Sequence, residues 1–213
     1  LVYTRMISGP GRIASDLGSG AVLTQSIENA YILFYPCPDW MSYVIQNDVA
    51  TSKGKMKLLP LPAWEPGGRR TSTLGGTMIA ITSHCNNPEQ AWRLIEAFYL
   101  DKEKLAARFR KTNIIPPWTR AWEHPAYDEP HPYWSGQRIG RLFTELAPEV
   151  PPQYTSPYIE IAKNKMADVV AACAAYYRAH GESGFEDFAR ARLRQAADEV
   201  RVFMRRDAFE SEE

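Results

Sequence analysis

KMKLLPLP (residues 55–62), AWEPGGRR (63–70) and TSTLGGTMIAI (71–81) form the stretch on which the reading of the fold turns. Lys55 to Leu61 alternates weakly and ends among Pro60 and Pro62, the pattern of a strand near a sheet edge, because proline cannot donate to a ladder. Pro62 to Ser72 is a loop carrying Trp64. Gly75-Gly76 then permits positive φ or close backbone approach before a strand over Thr77 to Thr82. Asn87-Pro88-Glu89-Gln90 supplies in turn a helix cap, a proline at the first helical position and a capping-box partner. The helix so started places Ala91, Leu94, Ile95 and Phe98 on one apolar face.

Upstream, Ala30 to Tyr35 (AYILFY) is apolar on both alternating faces, as in a strand covered on both sides. Prolines at 36 and 38 stop it, and Asp39 is placed to cap a short helix through Met41, Val44 and Ile45. Trp40 thereby falls near a strand end, where open α/β sheets meet their ligands. Downstream, Asp101 restarts a helix carrying Leu105, Ala106 and Phe109, and Ile114-Ile115-Pro116-Pro117 leaves it as an extended crossing of hinge type. Trp118 to Ser135 is a long irregular excursion rich in aromatics and prolines, of the kind that is functional or packed by its own side chains. Three helices follow: one through Ile139, Leu142, Phe143 and Leu146; one from Ser156-Pro157 to Gly181; and an amphipathic one from Phe185 through Phe203.

The chain has 213 residues and 45% hydrophobic content, enough to bury a core, and its 25 basic and 25 acidic side chains cancel to zero net charge. Such a balance gives no polybasic footprint for nucleic acid or an anionic membrane. No apolar run approaches the roughly 20 residues of a membrane span. The start, LVYTRMISGPGR, reads as an element entered partway along, with further sequence expected before it. Cys37, Cys85 and Cys173 are odd in number and lack metal-ligand spacing, so no structural metal is expected, and the thiols read as buried and free or as one disulfide at most.

Five pieces taken in order carry a resemblance: PDW (38–40), LPAWEPGGRRTS (61–72), GGT (75–77), NIIPP (113–117) and PYWSGQRIGRLFTELAPE (132–149). Together they resemble the carboxyl-terminal half of the family 1 extracellular sugar-binding proteins of ABC transporters, in particular the arabinose or arabino-oligosaccharide and lactose branches. The resemblance implies an α/β fold of the periplasmic-binding-protein type II, two-lobed, of which this is the carboxyl-terminal portion, helix-rich with a small sheet. It assigns residues 1–72 and 118–213 to a discontinuous second lobe and 73–117 to a returning piece of the first lobe with hinge crossings, most of the first lobe being absent. It implies a sugar or oligosaccharide ligand, ABC permease membrane subunits as partners, a monomer when full length, no cofactor and no metal. The expected location is the periplasm or the outer face of the cell membrane.

Sugar recognition pairs apolar sugar faces with aromatic rings and hydroxyls with planar polar groups. By the resemblance Trp40 is a cleft platform, with core packing as its alternative, and Asp39 is a ligand contact or a helix cap. Trp64 lies beside Glu65, Arg69 and Arg70, whose planar groups suit adjacent hydroxyls; the alternative is a surface loop that the arginines buttress. Gly75, Gly76 and Thr77 form a strand entry at which sugar approaches backbone, or a plain tight turn. Tyr154 and Tyr158 flank Pro157 at a helix start that faces the cleft in the family, or simply pack there. Trp118, Trp122 and Trp134 read as packing under the long loop, and Trp92 as core or interlobe. A glycoside hydrolase needs a carboxylate pair or a catalytic motif, and the chain has no GxSxG, HExxH or P-loop. Glu123 beside His124 and Asp128 beside His131 read as solvated loop pairs. A sensor or interaction module using the same lobe is a further alternative.

Overall fold

The computed structural model describes residues 1–15, 20–76, 78–152 and 155–206. They form α1 (Val2–Ile7), α2 (Ala21–Glu28), α3 (Asp39–Asp48), α4 (Pro88–Tyr99), α5 (Lys102–Thr112), α6 (Ile139–Leu146), α7 (Ile159–His180) and α8 (Phe185–Arg206). The chain divides into two compact units. Residues 20–152 hold α2 to α6, and residues 1–15 with 155–206 hold α1, α7 and α8.

In the 20–152 unit the helices begin and end for local reasons. The Asp101 side chain accepts from the Lys104 N–H at 3.0 Å and caps α5. The same helix stops at Asn113, left-handed at φ 60°, a conformation that asparagine tolerates better than other side-chain-bearing residues. Buried Asn113 then uses its amide to donate to Ser42 Oγ and Gln46 Oε1, both at 3.1 Å, which ties the end of α5 to α3. Pro88 takes the first position of α4, as its fixed φ favours. At the head of α3 Pro38, not Asp39, is the N-cap, and Asp39 is the first helical residue.

The core of this unit gathers Ile45, Val49, Leu58, Phe109, Tyr127, Tyr133, Trp134 and Ile139. Phe109 and Tyr127 meet with ring centroids 4.7 Å apart, and Tyr133 and Trp134 meet edge to face at 5.0 Å. Gly140 lets α6 lie directly on this layer, since a Cβ there would stand 2.7 Å from the backbone of Tyr127. The excursion 118–135 is therefore not a loose loop: it contains two 3₁₀ turns, Thr119–Glu123 and Pro125–Asp128, and Trp134 is 1% exposed, as the packing reading expects.

The small sheet expected from the sequence is not formed among the described residues, where the only bridge joins His131 to Gln137. The described residues of the three expected strands, 30–35, 55–61 and 78–82, contain no ladder. A strand exists only through a neighbour, and without one its backbone groups turn to water or to side chains. Residues 54–58 take the second course. Gly54 N–H donates to the Tyr133 carbonyl at 2.8 Å, and Ser135 Oγ lies 3.0 and 2.8 Å from the carbonyls of Gly54 and Met56. Gln137 then serves both backbone groups of buried Leu58: Oε1 accepts its N–H at 2.7 Å and Nε2 donates to its carbonyl at 2.9 Å. Without any such partner, Phe34 is 84% exposed. The apolar face of α4 is present but open, with Leu94 and Phe98 exposed; Trp92 is exposed as well, not core.

In the other unit α7 and α8 form a helical hairpin across a turn containing Gly181 and Gly184, both at positive φ. Phe185, fully buried, packs with Val169, Cys173 and Ala189, while Tyr176 stacks on Phe188 at 4.2 Å. Arg5 of α1 grips Glu182 with two bonds of 2.8 Å, and Tyr177 donates to the same carboxylate at 2.9 Å. Cys37, Cys85 and Cys173 are free thiols.

Replacing Gln137 with alanine leaves both polar groups of Leu58 unpaired in a buried place, and about 1–3 kcal/mol of unfolding free energy is expected to be lost in urea titration. Burial pushes the phenols of Tyr127 and Tyr133 up from 10.0 to about 12, and the Cys37 thiol up from 9.0 to about 12. The unfolded chain gives up these protons first, so their contribution is complete below the ordinary values and drains away as pH climbs towards 12. The expected outcome is a urea midpoint that falls through this alkaline window, with a shallower fall in Tyr133→Phe.

Candidate functional site

Trp40 is the second residue of α3, so its indole is carried by the first turn of a helix rather than by a free loop. Its backbone N–H donates to Asp39 Oδ1 at 2.7 Å, and its indole N–H donates to the carbonyl of Leu74 at 3.0 Å. The residue is nevertheless 37% exposed. One edge is fixed and part of the side chain faces solvent.

The carbonyl that fixes it belongs to the diglycine entry. Gly75 has φ 92° and Gly76 φ 133°, both in the region that side-chain-bearing residues avoid. A Cβ at Gly75 would stand 3.4 Å from Trp40 Nε1, an ordinary contact, so the positive φ and not a lack of space calls for glycine there. Asp39 completes the group: Oδ2 accepts the Ile115 N–H at 3.1 Å, and its carbonyl accepts from Ser42 Oγ at 2.6 Å. Burial raises the Asp39 carboxyl above the usual carboxylate range, and the N–H bonds from Trp40 and Ile115 oppose that rise.

The sequence-predicted residues thus divide. Asp39, Trp40 and Gly75 come together, with Gly76 adjoining. Among the described residues no hydrogen bond links the 61–70 loop to them. In that loop Trp64 is 90% exposed, Arg69 is exposed, and Arg70 closes the neck: its Nε donates to the Leu61 carbonyl at 3.0 Å while its own carbonyl accepts from Leu61 N–H at 2.8 Å. Arg70 is therefore a buttress whose guanidinium is occupied by backbone. Tyr158 is the N-cap of α7 in the other unit, its N–H donating to Ser156 Oγ at 3.2 Å. Thr77 and Tyr154 lie outside the described residues.

Sequence reasoning missed the Leu74 carbonyl and the Ile115 N–H, which are backbone groups. The one signal for the second was Asn113, an asparagine directly after the basic end of α5. The acid–histidine neighbours do not pair with each other. Glu123 binds Lys102 at 2.8 Å, His124 faces Glu103 at 3.3 Å, and Asp128 pairs with Arg141. Among the described residues no group of three or more His, Cys, Asp or Glu is placed to hold a metal ion, and no helix is long and apolar enough to cross a membrane.

By sequence comparison the chain belongs to the bacterial extracellular solute-binding protein family, whose profile matches residues 8–131. It is similar to the arabinooligosaccharide-binding protein of Halalkalibacterium halodurans, at 24% identity over 132 residues. That match covers 61% of this chain and 30% of the relative, so the chain spans less than a third of the relative's length. The family is one of solute-binding proteins rather than enzymes, and membership implies the periplasmic-binding-protein fold and an extracytoplasmic setting.

Arg70→Ala should open the neck of the 61–70 loop alone. Amide exchange at Leu61 is expected to quicken while the urea midpoint holds, because the lost bonds are exposed ones.

Proposed function

We propose that the chain is part of a sugar-binding component of an ABC importer, which takes an arabino-oligosaccharide or a related glycoside outside the cytoplasm and hands it to permease subunits in the membrane. The observation that carries this reading is the indole of Trp40, anchored by Leu74 and open beside Gly75. An apolar sugar face stacks on such a ring, and the positive-φ glycines let hydroxyls reach main-chain groups. The relative's name supports the choice of arabino-oligosaccharide. In this reading residues 1–72 and 118–213 belong to the second lobe and 73–117 to a returning piece of the first, with the double proline after Ile115 at a hinge crossing. The working protein is a monomer in the periplasm or at the outer face of the membrane. Trp64 and Arg69, which project from the closed loop, and Tyr158 with Tyr154 at the head of α7 are further candidate contacts.

Calorimetry on the intact protein with arabinose, arabinotriose, lactose and maltose tests the reading. Arabinotriose is expected to bind, and Trp40→Ala to weaken it at least about tenfold, the loss of roughly one stacked ring. Binding of none of the four sugars, or an unchanged affinity in the variant, would refute it.

A further inference from the structure

We infer that Asp39 acts through Trp40: its carboxylate is a latch that joins the start of α3 to residue 115 and so fixes the indole, and it is a positioning residue rather than a sugar contact. This rests on Trp40 being the sugar platform.

The geometry is a joint closed twice. The first closure is the carboxylate itself, one oxygen taking the Trp40 N–H at 2.7 Å and the other the Ile115 N–H at 3.1 Å. The second runs through Ser42, whose hydroxyl donates to the Asp39 carbonyl at 2.6 Å and accepts from Asn113 Nδ2 at 3.1 Å. Both closures connect the first turn of α3 to residues 113–115. Asn113 is buried and left-handed, so the crossing has one defined path there.

Only a carboxylate suits this place. Two N–H donors arrive from two different chain segments, and an ionised carboxylate offers an acceptor to each, whereas an amide offers one acceptor and one donor. Each oxygen of Asp39 is already directed at backbone, so the group has its work before any sugar arrives. Its effect on ligand comes by pre-organisation: an indole held at both its backbone and its ring nitrogen loses little freedom when a sugar stacks on it.

Two consequences separate a latch from a contact. In the wild-type intact protein, the Ile115 amide hydrogen should exchange slowly; exchange at the rate of a free loop overturns the latch without any variant being made. In Asp39→Asn, the indole N–H of Trp40, assigned by its loss in Trp40→Phe, should exchange at least about tenfold faster than in wild type. An indole signal that does not move overturns the inference.

The cycle with sugar completes the test. Asp39→Asn should weaken arabinotriose about fivefold in the wild-type background and less than about twofold in the Trp40→Ala background, because a residue acting through the ring of Trp40 then has nothing left to position. An equal loss in both backgrounds would make Asp39 a direct contact. A Trp40→Ala protein that binds arabinotriose as wild type does would instead remove the sugar-platform reading, and the two exchange measurements would still decide whether Asp39 holds the indole.

Discussion

Leu58 is buried with one N–H and one carbonyl that no strand pairs, and the 20–152 unit depends on how they are satisfied. The side-chain amide of Gln137 takes both, reproducing within one residue the donor and acceptor that a neighbouring strand would present. The rest of the packing is organised around the turn that delivers that amide. His131 N–H donates to the Gln137 carbonyl at 2.8 Å and Gln137 N–H to the Trp134 carbonyl at 3.0 Å, which fixes the turn. From it Tyr133 reaches the end of α3, its hydroxyl 2.8 Å from the Val49 carbonyl, while Trp134 fills the centre of the core. One step further on, Gly140 brings α6 onto Tyr127.

What the sequence revealed of the fold follows the range of the forces involved. Helices α4, α5, α6, α7 and α8 were legible because caps, prolines and apolar spacing act within a few residues; the aspartate at 101 and the asparagine at 113 mark both ends of α5. Strands were not, because a strand is a relation between distant segments. Ala30 to Tyr35 has a strand's composition, yet with no ladder to join it leaves Phe34 in solvent. The apolar stripe on α4 was legible as periodicity, but a pattern states which face is apolar and not whether anything covers it.

The site divides along a similar line. Trp40 and the diglycine could be singled out because side-chain type and backbone freedom are written in the sequence. The Leu74 carbonyl and the Ile115 N–H could not, since every residue but proline carries the same pair of groups and only the fold selects which of them meet. Arg70 shows the converse: a planar cation beside a tryptophan suits a hydroxyl-rich ligand, but the nearest acceptors are the carbonyls of its own loop, and they claim it first. Membership of a solute-binding family and a site built from a ring and backbone are consistent with recognition that depends on shape and hydrogen bonding without chemistry.

The grip of Arg5 on Glu182 joins residues 177 positions apart and sets an order of assembly. Within this stretch α1 is made well before the hairpin it docks on, with the whole of residues 20–152 between them. Until that hairpin is made α1 lacks its partner within its own unit, while residues 20–152 bring their own core with them. A nascent chain halted before residue 182 would hold the core of residues 20–152, while Arg5 of α1 still lacked the carboxylate it grips.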